Sequence, residues 1–175
     1  EPLRIGIAGL GTVGASVARL LHSKSNSLTH KCGRPITVTG VTARDRAKDR
    51  GFDMTGIEWF DTPTELAASD NIDVFVELVG GENGAAFDSI HAALENGRHV
   101  VTANKALLAK HGLELAVIAE KKGLILNYEA AVAGGIPIIK TMRESLAANE
   151  PSRVYGILNG TANYILTRME RDEIS

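Results

Sequence analysis

Cysteine is almost absent: Cys32 stands alone among 175 residues, which excludes an internal disulfide and fits a reducing, cytoplasmic compartment. Long apolar runs are missing too. The run "IDVFVELV" at 72–79 falls far short of the roughly twenty residues that a helix needs to cross a bilayer. Neither sign of charge dominates. Nineteen Lys and Arg against twenty-one Asp and Glu, interspersed, give a net charge of −2, with no basic stripe for nucleic acid and no polybasic patch for a membrane. The five histidines, His22, His30, His91, His99 and His111, lack metal-ligand spacing and read as surface or packing residues. No internal repeat or low-complexity tract occurs, and no signal peptide opens the chain, since strand-like residues begin at Leu3. The first residue is Glu1 rather than methionine, which is consistent with trimming at either end. What remains is ordinary globular composition, 44% hydrophobic and 23% charged, at a length that suits one full domain and the beginning of another.

The apolar pattern alternates between strand and helix. "LRIGIAGL" (3–10) reads as a buried strand, and Val13, Val17, Leu20 and Leu21 then recur at helical spacing. The polar stretch "SKSNSLTHKCGRP" reads as a loop before a strand at 36–43, and a charged loop leads to a short helix at "TPTELAAS" with Pro63 in its first turn. Strand 72–79, helix "AAFDSIHAALENG" closed by Gly97, strand 99–103, helix 113–123 and strand 124–129 continue the cycle. A long helix from Pro137, a strand "SRVYGILNG" and a helix "TANYILTRME" follow, with "RMERDE" as a solvated helix end. Apolar strands separated by helices predict a parallel sheet covered on both faces, a Rossmann-like doubly wound α/β domain over 1–135. Residues 136–175 are expected to begin an α+β substrate and dimerisation domain that this chain does not complete.

Gly9, Gly11 and Gly14 of "GLGTVG" form G-x-G-x-x-G directly after the first strand and at the opening of the first helix. The first glycine permits a tight turn, the second lets a pyrophosphate approach the backbone, and the third lets helix pack closely on strand. Thr12 and Val13 supply further amides. A glycine-rich turn without a ligand has the same spelling, but the strand–loop–helix context is the one a dinucleotide requires. At the tip of the second strand, Arg44 and Lys48 favour NADP, while Asp45 leaves NAD open and a merely solvated loop is the alternative. Gly80 and Gly81 would let a cofactor ring pass beyond the 72–79 strand, or form a plain turn. Lys105 follows the 99–103 strand, where its ammonium could stabilise an oxygen gaining charge or simply be solvated. Gly160 and Thr161 occupy a strand-to-helix turn whose amides suit an anion; Asn159 and Thr161 could equally be helix caps.

Taken together, "GLGTVG", "VVTANKALLA", "NYEAAVAGGIPIIK" and "GILNGTANYILTRM", in that order and across nearly the whole chain, resemble homoserine dehydrogenase. The resemblance implies NAD(P)-dependent interconversion of L-aspartate 4-semialdehyde and L-homoserine, on the route to threonine, methionine and isoleucine. It implies a small-molecule substrate and a homo-oligomeric full-length enzyme. It places Lys105 near substrate and nicotinamide and the Gly160–Thr161 loop beside both. It also implies a monovalent cation, usually sodium, held by main-chain carbonyls carried over to Glu129, Val132, Gly134 and Ile136, where the small residues of the segment let oxygens turn inward. A tightly packed hinge without an ion is the alternative. The family's proton-handling lysine and the acidic residues that grip the substrate amino group lie beyond the "NYILT" helix and are absent here. The expectation is therefore a fragment that keeps the cofactor pocket and Lys105 but turns over poorly or not at all. A non-catalytic NADP(H)-binding module is the competing reading. Another dehydrogenase on the same nucleotide domain is disfavoured, because the last two motifs are not needed to bind cofactor.

Overall fold

The computed structural model describes residues 1–156 and 160–172. β1 (Leu3–Ala8) leads through Gly9–Gly11 into α1 (Thr12–Ser23), α2 (Ser25–Cys32) and β2 (Ile36–Thr42). β3 (Glu58–Trp59), α3 (Pro63–Ala68), β4 (Val74–Glu77), α4 (Ala85–Glu95), β5 (His99–Thr102), α5 (Lys105–Lys121) and β6 (Leu126–Asn127) complete the alternation. The six strands make one parallel sheet in the order β3-β2-β1-β4-β5-β6. That is the doubly wound order, with the direction of winding reversing between β1 and β4.

Successive side chains of β4 feed opposite layers, as the two-residue period of a strand requires. Phe75 joins Leu66 of α3, Ile90 and Leu94 of α4, and Leu107 and Leu115 of α5 in one cluster. Val74 and Val76 join Ile5, Ile7, Val41 and Ala18 of α1 in the other. The second face is covered unevenly: α1 with Phe52, Met54 and Ile57 packs against β1 and β2, while Val101 of β5 stays 38% exposed and Ile125, just before β6, 50%. Coverage of both faces therefore holds across β2, β1 and β4 and thins at β5 and β6.

Several expected elements differ. The polar 23–35 stretch contains α2, which ends at Gly33 in the left-handed conformation (φ 73°). α5 starts eight residues before the expected 113, because Asn104 caps it by accepting from the Leu107 amide and Gly112 is carried inside the helix. β3 was not foreseen within the charged loop. The 124–129 strand shrinks to β6, since Glu129 already opens α6 (Glu129–Ala133). The helix from Pro137 is a short α7 (Ile138–Lys140) that widens into a π-helical turn, Thr141–Ser145, and stops at Leu146. Residues 152–156 form no strand, and 157–159, with Asn159, lie outside the described residues. α8 (Gly160–Asp172) matches the last expected helix. Gly97 follows α4 with φ 75°, the left-handed stop its sequence position suggests.

Candidate functional site: the carboxyl edge of the sheet

Strand register brings the marked segments to one edge. Thr42, Ala8, Glu77 and Thr102 lie side by side in a single row across β2, β1, β4 and β5. The chain leaves that row into Gly9–Gly14, Arg44, Gly80–Gly81 and Lys105, so four sequence-distant segments meet at the carboxyl ends of the strands.

Gly9 has φ 94°, and a Cβ there would lie 2.5 Å from the Leu78 carbonyl, so the turn between β1 and α1 runs hard against the end of β4. A Cβ on Gly14 would fall 1.8 Å from the Gly9 carbonyl. At Gly11 the same construction meets nothing within 4 Å. Tight, open and tight is the profile of a turn that folds on itself while leaving its outer side clear for a diphosphate. α1 opens at Gly11 without a capping side chain and without an acidic residue in its first turn, leaving the first amides and the positive helix end toward that open side. Thr12 and Val13 are exposed there. The residues present fit a dinucleotide's diphosphate.

At the β2 tip, Arg44 is exposed, while the Asp45 carboxylate is turned back on its own loop, accepting from the amides of Ala47 (2.9 Å) and Lys48 (3.2 Å). Arg50 is buried and holds the loop from beneath, donating to the carbonyls of Lys48 (2.6 Å) and Asp45. The guanidinium groups of Arg46 and Arg50 lie 5.5 and 5.3 Å from the Trp59 ring centre, and together they line a cleft of about 290 Å³ with Lys48. Sequence reasoning missed Arg46, Arg50 and Trp59. The basic run was visible, but the indole comes from the unforeseen β3.

Lys105 is the first residue of α5 and exposed. A cation at the positive end of a helix, with no acidic residue in that turn, is electrostatically misplaced by several tenths of a kcal/mol. Gly80 and Gly81 both have positive φ (81° and 91°). Three buried polar residues not singled out from the sequence, Glu77, Thr102 and Asn104, sit beneath this edge; the signal was a glutamate inside the apolar "VFVELV" run.

The Glu129–Ile136 segment is tied together by its own hydrogen bonds. The Glu129 carboxylate accepts from the amides of Ile139 and Lys140, both at 2.9 Å, capping the helical turn that follows Pro137. Its own carbonyl lies within α6, where helical geometry directs it to the Ala133 amide. The Ile136 carbonyl accepts from Ile138 at 2.8 Å. The Ile136 amide goes to Ala133, leaving the Val132 carbonyl at the helix end without it. The Glu129 and Ile136 carbonyls are therefore already engaged by the backbone. Gly160 and Thr161 open α8, which is exposed along its length.

Fold and edge together define a doubly wound nucleotide-binding domain. Residues 9–129 match the family described as homoserine dehydrogenase, NAD binding domain, and residues 137–175 match homoserine dehydrogenase. The chain belongs to the homoserine dehydrogenase family, and its cofactor class is a nicotinamide dinucleotide. It is 44% identical over 169 residues to homoserine dehydrogenase of Neisseria gonorrhoeae, covering 97% of this chain and 38% of that one. The Pseudomonas aeruginosa homoserine dehydrogenase is also 44% identical, over 171 residues, with the same coverage. The crystal structure of a homoserine dehydrogenase from Thiobacillus denitrificans superposes with a TM-score of 0.85 at 40% identity, over 99% of this chain and 41% of that one. The chain therefore spans about two fifths of the length of these relatives.

Proposed function

We propose that this chain is the cofactor-binding portion of a homoserine dehydrogenase: residues 1–135 hold NADP(H) along the carboxyl edge, residues 136–175 begin the substrate domain, and the complete protein interconverts L-aspartate 4-semialdehyde and L-homoserine. The row Thr42–Ala8–Glu77–Thr102 carries the reading, because it delivers the glycine turn, Arg44, Gly80–Gly81 and Lys105 to one side of the sheet. The Gly9–Gly14 turn receives the diphosphate with Thr12 and Val13 at its mouth. Arg44, freed by an Asp45 carboxylate that caps its own turn, meets the 2′-phosphate of NADP. A bound nicotinamide supplies the hydride. The Lys105 ammonium stabilises the aldehyde oxygen as it gains negative charge, which gives the misplaced lysine its purpose. Val132 and Gly134 begin a monovalent-cation site that Glu129 and Ile136 complete, and Gly160 and Thr161 reach the edge only when the substrate domain is whole. The complete protein is proposed to be a homo-oligomer, and this chain by itself to bind cofactor with little turnover.

Fluorescence titration with NADPH and NADH tests the reading. Saturable binding of NADPH is expected, with NADH weaker. Lys105→Ala should leave binding nearly intact while abolishing turnover in the full-length protein. Absence of binding by either cofactor, or wild-type turnover by the full-length Lys105→Ala variant, would contradict it.

A further inference from the structure

Glu77 has no exposed surface, yet it ends a strand whose neighbours are Val, Phe and Val. A buried carboxyl is costly unless both oxygens are partnered, and here both are. Oε1 accepts from the amides of Val79 (2.8 Å) and Gly80 (2.9 Å), and Oε2 accepts from the Thr102 hydroxyl (2.5 Å). The Thr102 hydroxyl also accepts from the Asn104 amide at 3.0 Å. The Asn104 side chain accepts from the Leu107 amide (3.1 Å), starting α5, and donates to the Gly81 carbonyl at 2.6 Å. The hydrogen bonds close a circuit: from Glu77 to the Gly80–Gly81 turn, across to Asn104, and back through Thr102. Neither packing nor capping alone requires a carboxylate here, since a Val at 77 would suit the sheet and Asn104 alone would cap α5.

We propose that Glu77 is a positioning residue for the nicotinamide half of the cofactor, setting the Gly80–Gly81 turn and the Lys105-bearing start of α5 in one fixed relation. The proposal rests on the dinucleotide reading of this edge. In a doubly wound sheet the two halves serve the two nucleotides. Gly9–Gly14 and Arg44 belong to the β1–β3 half, whereas every group that hydrogen-bonds the Glu77 carboxylate, Val79, Gly80 and Thr102, belongs to the β4–β5 half. Disturbing Glu77 therefore acts on one end of the ligand.

Two variants probe the circuit. In Glu77→Gln the carboxamide can still accept from Val79 and Gly80, but its NH₂ meets a Thr102 oxygen already receiving an amide, and the hydroxyl proton loses its acceptor. Thr102→Val keeps shape and leaves the Glu77 charge, while removing the link to Asn104. Each is titrated with NADPH and with ADP-ribose 2′-phosphate, which lacks the nicotinamide. Each variant is expected to weaken NADPH about tenfold, the scale of one or two lost hydrogen bonds, with ADP-ribose 2′-phosphate unchanged. Equal weakening of both ligands would mark a merely structural role, and unchanged NADPH binding in both variants would mark none; either overturns the proposal. Failure of the unaltered chain to bind either ligand would instead remove the dinucleotide reading, and the proposal with it.

Discussion

The side chains at the carboxyl edge divide into those whose shape is indispensable and those whose charge is. Gly14 is the first kind. A methyl group 1.8 Å from the Gly9 carbonyl cannot be accommodated without moving α1 off β1. Gly14→Ala should destabilise the chain by about 1–3 kcal/mol and abolish dinucleotide binding, as measured by denaturant unfolding and cofactor titration. On the proposed reading of the site, Arg44 is the second kind. Removing a charge-assisted contact costs about 1.5–3 kcal/mol, so Arg44→Ala should weaken NADPH at least about tenfold and leave NADH nearly unchanged. Equal effects on the two cofactors would assign the 2′-phosphate elsewhere, with Arg46 and Lys48 as the next candidates. The glycine turn was legible because its spacing encodes a backbone shape, and the position of Arg44 because it follows a strand end. Glu77, Thr102 and Asn104 were not, since nothing in a linear pattern says that three residues from two strands and a cap share hydrogen bonds.

At the scale of elements, strands and helices with apolar faces were readable, and those made by polar or local chemistry were not. "SNSLTHKC" lacks an apolar stripe, yet it forms α2 and stops at a left-handed Gly33. The expected 113–123 helix begins just after Gly112, a residue that weakens isolated helices but is carried here within a seventeen-residue helix whose Leu107, Leu115 and Ala119 are buried. α3 was foreseen with its proline and also has a full capping box, Thr62 accepting from the Glu65 amide while Glu65 accepts from that of Thr62. Thr62→Ala should cost about 1 kcal/mol of stability without altering cofactor affinity, a control that separates folding from binding. The starts of β1 and β4 are tied by Arg4, whose guanidinium donates to Asp73 at 2.6 and 3.2 Å. Those hydrogen bonds hold the Asp73 carboxyl below the ordinary carboxylate range. A carboxyl whose folded-state pKa is depressed adds stability above its unfolded value, about 3.9, and loses it as the pH falls through the folded value. Asp73→Asn should therefore destabilise the chain at pH 7, by no more than about 1 kcal/mol for a pair this open to solvent. The difference from the unaltered chain should shrink on acidification below about pH 4. A gap that stays constant with pH would mean that the pair contributes through shape alone.

The whole molecule is uneven in its burial. Buried apolar residues run from Ile5 to Ala131, whereas Ile136, Val154, Tyr155, Tyr164, Ile165 and Leu166 are all more than half exposed. No second layer covers them among the described residues, and α8 has no buried residue. Limited trypsin digestion should cut at Arg153 or Arg168 before any site within β1–β6, and the trimmed product should still bind NADPH. Early cleavage within 3–126 would contradict an independently stable nucleotide domain. The doubly wound order was legible as alternation, while the thin cover over Val101 was not, because which face a helix takes depends on the direction of winding. The central claim, that a dinucleotide lies along the carboxyl edge with its diphosphate on the glycine turn, is tested most directly by amide NMR of the chain with NADPH added. Gly11–Gly14, Arg44, Val79–Gly81 and Lys105 should shift together and saturate together. Their remaining still, or shifts gathering instead around His22, Phe52 and Thr55 in the cavity between α1 and β2, would contradict it.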